Sequence, residues 1–200
     1  VIVGLVGLEG DVQSLSHDVS VQVSSKMGRH LGFGFGDNSR RESISPKSMS
    51  TMLSHLLYNR RGSPYYVEPI VVGLEKIVVE NDDESEMESG SGTERGEPRG
   101  GRKRSCQGIQ YIPFLCAQDL IGAQSKSASF VCSGAASKSL YGIAEAMWRP
   151  GLKPDELLEV CGRAFLSALE RDCLSGYGAT IYLMVAGKGI DEYEISCRND

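Results

Sequence analysis

Long hydrophobic runs are missing from this 200-residue chain: no apolar stretch approaches the roughly 18–20 residues that a membrane span requires. Positive charge is also short, with 21 Lys and Arg against 26 Asp and Glu, giving a net charge of −5. That balance argues against nucleic acid or an anionic membrane surface as the main partner. Threonine occurs three times, as Thr51, Thr93 and Thr180, and histidine three times, as His17, His30 and His55. None of the histidines has a partner at metal-ligand spacing, and no metal or other cofactor is expected. The six cysteines include no C-x-x-C pair, which removes the usual zinc and dithiol-redox signatures. Cys116, Cys132 and Cys161 stand among apolar residues and read as reduced, structural thiols.

What is present is ordinary for one globular domain: 40% hydrophobic and 24% charged residues over a length that buries a sizeable core. The chain opens at Val1 inside a strand-like run, Val1–Val6, with no polar lead-in, and reads as a fragment, a processed chain or the product of an incomplete gene model. Removing central strands exposes sheet edges and core, so this exact chain is expected to be unstable alone.

Asp11 is a candidate N-cap for a helix to about Leu31, with Val12, Leu15, Val19, Val23 and Met27 at helical spacing. Ser45 followed by Pro46 predicts a second helix, striped by Met49, Met52, Leu53, Leu56 and Leu57, ending near Arg60-Arg61-Gly62. Tyr65–Leu74 reads as a strand, at an edge or bulged because of Pro69, and Ile77–Val79 as the start of another. Residues 80–108 carry an acidic run and then a basic one with almost nothing apolar, and predict a disordered insertion within a single domain spanning 1–200.

Strand character resumes at Tyr111–Leu115, Asp119–Gly122 reads as a turn, and Ala128–Ser133 as a further strand. Helices are predicted over Ser137–Trp148 and from Pro154 to about Leu169, the latter burying Leu158, Cys161, Phe165 and Leu169. Tyr177–Val185 and Ile190–Cys197 alternate as a hairpin across Ala186–Gly189. Paired helices set between runs of strands indicate an α+β chain with helices packed on sheets. A four-layer α-β-β-α sandwich is one solution among several.

Three short signals carry little. Gly32–Gly36 lacks a P-loop lysine and follows a helix instead of preceding one. Arg40-Arg41-Glu42-Ser43 fits a basic kinase motif of a kind common by chance. Arg99–Arg104 has no aromatic platform for nucleic acid and reads as the solvated end of the insertion.

The longer motifs are more specific. Gly7-Leu8-Glu9-Gly10-Asp11 resembles the end of the proteasome beta-subunit signature at a strand-to-helix junction. Tyr58-x-x-Arg61, then Pro64-Tyr65-Tyr66-Val67-Glu68-Pro69 and Gly73-Leu74, is similar to the type-3 branch of that family in particular. Asp119–Gly122, Ser133-Gly134, Tyr141-Gly142, Trp148-x-Pro150 and Arg171-Asp172-x-x-Ser175-Gly176-x-Gly178 continue the resemblance in order. It implies the N-terminal nucleophile hydrolase fold, a four-layer α-β-β-α sandwich that here lacks its first strands. It also implies assembly with other beta and alpha subunits in the stacked rings of a 20S core particle, in cytoplasm and nucleus, with no nucleic acid or membrane partner.

Catalytic members of that family attack the peptide carbonyl with an N-terminal threonine whose own α-amine takes the proton. Here the first residue is Val1, and Gly92-Thr93 lies within the predicted insertion. By the resemblance, Ser133, Asp172, Ser175 and Gly176 match positions that orient the nucleophile in active members. Tyr177 stands where those members carry a second glycine, as in the type-3 pattern. The expectation is a non-catalytic ring subunit in which Asp172 and Ser175 hold a loop. The alternative is a threonine-type endopeptidase subunit whose nucleophile lies outside this sequence.

Overall fold

A computed structural model describes residues 1–30, 44–80, 107–174 and 178–196. The elements run β1 (Ile2–Gly7), α1 (Glu9–His30), α2 (Pro46–Asn59), β2 (Val67–Glu80), β3 (Gln107–Gln118), β4 (Gln124–Ser127), α3 (Ser137–Met147), α4 (Pro154–Leu169), β5 (Gly178–Val185) and β6 (Gly189–Ser196). The architecture is α+β. The chain divides into two compact units, Val1–Glu75 with Pro113–Asp200, and Lys76–Ile112. The described part of the smaller unit consists of residues 76–80 of β2 and 107–112 of β3, where Ile77, Ile109, Tyr111 and Ile112 are exposed. The predicted insertion falls almost wholly outside the described residues, as do the Phe33–Ser43 stretch and Thr93.

In the larger unit a four-stranded sheet has the order β1-β2-β3-β4, and β5 and β6 form a separate hairpin. β1 runs antiparallel to β2, pairing Val3 with Val71 and Leu5 with Pro69. Side chains alternate across a strand, so Val67, Pro69 and Val71 share one face with Val3 and Leu5. That face meets α1 and α2 in a core of Leu15, Leu53, Leu57, Tyr65, Val67 and Val71, against which Val12, Val19 and Phe114 pack. Leu15, Leu53 and Leu57 are fully buried. Each contributes roughly 1.5–3 kcal/mol of burial.

The second helix starts as the sequence predicts: Ser45 is extended, its Oγ accepts from the Ser48 N–H at 3.2 Å, and Pro46 follows it. α4 has Asp155 and Glu156 in its first turn, and the Glu156 carboxylate accepts from the Lys153 N–H at 3.3 Å. α3 packs on α4, and α4 on β5. Gly162 sets the distance of that last contact, since a Cβ there would lie 3.3 Å from the Ile195 side chain and 3.6 Å from Ile181. The hairpin register is regular from Gly178↔Ser196 to Val185↔Gly189.

Several expectations change. α1 begins at Glu9, so Asp11 lies inside its first turn and is not its cap. Pro69 is neither on an edge strand nor out of register, because β2 lies between β1 and β3; its fully buried ring offsets the missing donor. Tyr65–Leu74 and Ile77–Val79 are not two strands: one strand, β2, starts at Val67 and runs through both. Ala128–Ser133 is not a strand. β4 ends at Ser127, whose Oγ takes the Ser129 N–H at 3.2 Å and closes a local turn in place of a ladder bond. Cys161 is exposed on α4, whose buried residues are Gly162, Ala164 and Ala168; small residues there admit the hairpin closely.

Candidate functional site

Gly7 ends β1 with φ +156°, and a Cβ on it would fall 1.9 Å from the Tyr66 carbonyl oxygen. That close approach lets the Leu8 N–H donate to the same oxygen at 2.9 Å. From the first turn of α1, Asp11 Oδ2 then accepts the Tyr66 N–H at 2.9 Å. The chain pairing of Tyr66 with residues 7–11 is thus closed on both of its backbone polar groups. Next along, the buried Tyr65 hydroxyl donates to Asp18 Oδ2 at 3.0 Å, and the Arg60 guanidinium sits 4.6 Å above the Tyr65 ring. Arg60 also lies 3.9 Å from Asp18. The Gly7–Asp11 and Tyr65–Pro69 motifs, remote in sequence, are the two halves of one latch between α1 and the sheet.

Of the residues matched to the nucleophile-supporting positions, Ser133 is half-buried beside the sheet. Its hydroxyl reaches the Glu68 carboxylate at 3.1 Å and the Glu68 carbonyl at 3.4 Å. Next to it, a Cβ at Gly134 would lie 3.2 Å from the Val6 side chain, so this segment passes close to β1 and β2. Asp172 lies just beyond α4, where its Oδ1 accepts the Leu174 N–H at 3.1 Å. Ser175, Gly176 and Tyr177 lie outside the described residues.

The thiol beside Ser133 is not activated. Burial pushes the Cys132 thiol above its ordinary range, and Cys161 nearby adds to the shift, so Cys132 stays protonated at neutral pH. The described threonines are also committed elsewhere. Thr51 lies within α2 with its hydroxyl bonded to the Lys47 carbonyl at 3.0 Å, and Thr180 lies within β5 opposite Glu194. Among the described residues no group of three or more His, Cys, Asp or Glu side chains is placed to hold a metal ion. No described helix is long and apolar enough to cross a membrane.

The Glu68 partner of Ser133 and the Asp11–Tyr66 bond are contacts that sequence reading missed. The first spans 65 positions and the second 55, and neither has a local pattern to reveal it. A second buried cluster was also invisible: Gln118 Nε2 donates to the Ser50 carbonyl at 2.7 Å, while Ser50 Oγ contacts the Cys116 sulfur at 3.2 Å.

The sequence profile described as "Proteasome subunit" matches residues 108–184. The chain is 33% identical over 157 residues to the "Proteasome subunit beta type-3" of Drosophila melanogaster, covering 78% of this chain and 60% of that protein. It is 31% identical over 188 residues to the protein of that name from Trypanosoma brucei brucei, covering 94% and 71%. For the Oryza sativa protein of the same name the identity is 31% over 198 residues, covering 99% and 76%. The chain thus spans 60 to 76% of the length of these relatives.

Proposed function

This chain belongs to the proteasome subunit family, and from that premise we propose that it acts as a non-catalytic beta-type subunit in the rings of a 20S core particle. The observation carrying this reading is the near-complete alignment with proteins named beta type-3, 99% of the chain in one case. The latch supports it: the type-3 motif Pro64–Pro69 is spent on holding α1 to the sheet, which is a structural use.

In this reading the chain supports ubiquitin- and ATP-dependent protein degradation by the complex without cleaving peptides itself. Ser133 and Asp172 would then serve as struts at positions that, with Ser175 and Gly176, match the family's support positions. Ser133 bonded to Glu68 and Asp172 bonded to the Leu174 N–H fit that role. Two helix-on-sheet halves, α1 and α2 on the four-stranded sheet and α4 on the β5–β6 hairpin, fit the four-layer α-β-β-α arrangement of an N-terminal nucleophile hydrolase. Residues 80–108 would then be an insertion into a single domain. Its partners would be other beta and alpha subunits, and its place the cytoplasm and nucleus.

Treating the assembled particle with an electrophilic peptide probe that captures N-terminal threonines tests the catalytic half of this proposal. Intact-mass analysis should show adducts on other beta subunits and none on the protein carrying this chain. An adduct on it would establish the endopeptidase alternative.

A further inference from the structure

Between α1 and α2 runs an open groove of about 550 Å³. We propose that it docks an acidic peptide segment of a partner chain, in extended form, with aliphatic residues alternating with the acidic ones. The inference goes beyond ring membership and does not depend on it.

Charge is the first reason. The chain as a whole is acidic, at −5, yet among the described residues no carboxylate lines this groove. Lys26 approaches it from α1 and Lys47 from the first turn of α2. Among the described residues neither lysine forms an ion pair, and Asp18 of α1, one turn before Gln22, is taken by Arg60 and Tyr65. The amides of Gln22 and Asn59, the His55 ring and the Ser48 hydroxyl add groups able to donate. A wall built from donors, with two ammonium groups that have no ion-pair partner among the described residues, complements carboxylates.

Length and polarity select the form. Ser48 to Asn59 spans eleven positions of helix, about 16 Å at 1.5 Å per residue. An extended peptide rises about 3.3 Å per residue, so about five residues fit, with side chains pointing alternately down and out. The floor is apolar: Met52 is buried and Leu56 half-buried. It takes the downward aliphatic side chains, while the acidic ones meet the rim. A single-stranded nucleic acid is disfavoured because no aromatic ring among the described residues lines the groove for base stacking. An inorganic polyphosphate would leave Met52 and Leu56 without a complement.

The test is fluorescence anisotropy of the intact protein that carries this sequence, with a fluorescein-labelled Glu-Leu-Asp-Leu-Glu peptide. Saturable binding is expected, weakened about tenfold by Lys26→Glu with Lys47→Glu, and weakened again as salt shortens the Debye length to about 3 Å. A Lys-Leu-Lys-Leu-Lys peptide should not bind, and Glu-Ser-Asp-Ser-Glu should bind more weakly than the leucine form. These peptide controls keep the test decisive if the charge-reversed chain fails to fold by circular dichroism. Absence of saturable binding, equal binding of the serine peptide, or displacement by inorganic polyphosphate as effective as by free peptide would overturn the proposal.

Discussion

Asp11 and Tyr65 carry more of the latch than any other side chains. Asp11 is negatively charged in the first turn of α1, where the helix dipole favours it, and it satisfies a backbone N–H 55 positions away. Asp11→Ala should cost roughly 1 kcal/mol in chemical denaturation, below the ~1.5–3 kcal/mol usual for a charged acceptor because the bond is solvent-exposed. Tyr65 adds a pH signature. Burial first, and then the hydrogen bond to Asp18, raise its phenol above the usual value of 10.0. The unfolded chain then loses this proton before the folded chain does. The stability it contributes is complete below about pH 10 and is lost as pH climbs through the folded value. Tyr65→Phe should remove that alkaline slope in pH-dependent urea melts while lowering stability at neutral pH by about 1 kcal/mol. Retention of the slope in Tyr65→Phe would assign it to another group. From sequence, Tyr65 stood out as part of a family motif, but its job did not, because both of its partners, Asp18 and Arg60, come from other elements.

Elements were legible where their signals are local. Ser45-Pro46 fixes the start of α2 within three residues of sequence, and Ser45→Ala should lower stability by about 1 kcal/mol. The Asp119–Gly122 turn is equally local: Asp119 Oδ1 accepts from Ile121 at 3.0 Å and from Ala123 at 2.7 Å, and Gly122 takes φ +83°. At Gly122 a Cβ would also strike the Ser54 carbonyl oxygen at 2.5 Å. Gly122→Ala should therefore cost more than the roughly 1–2 kcal/mol of a left-handed backbone alone, read as a lower thermal midpoint. What could not be read was pairing. Pro69 suggested an edge because proline lacks a donor, yet neighbours on both sides and a fully buried ring place it inside the sheet. Ala128–Ser133 had strand composition, but the Ser127 and Ser129 side chains end the ladder first. Cys161 fell on the helical stripe by period alone, while the contact with β5 and β6 is centred on Gly162.

At the scale of the whole molecule, the α+β class and the family were legible from sequence, because ordered motifs survive where pairwise contacts are invisible. The supporting positions divide: Ser133 and Asp172 are seen holding neighbouring groups, and the Ser175–Tyr177 turn falls outside the described residues. The central claim, a structural ring subunit, concerns an assembly. Its most direct test is native size fractionation of a gentle lysate from cells in which the protein bearing this sequence is tagged, followed by mass spectrometry of the fraction that contains it. The account predicts co-migration with a large particle containing other alpha and beta proteasome subunits. Recovery solely as a free monomer, with no other proteasome subunit alongside it, would contradict the account.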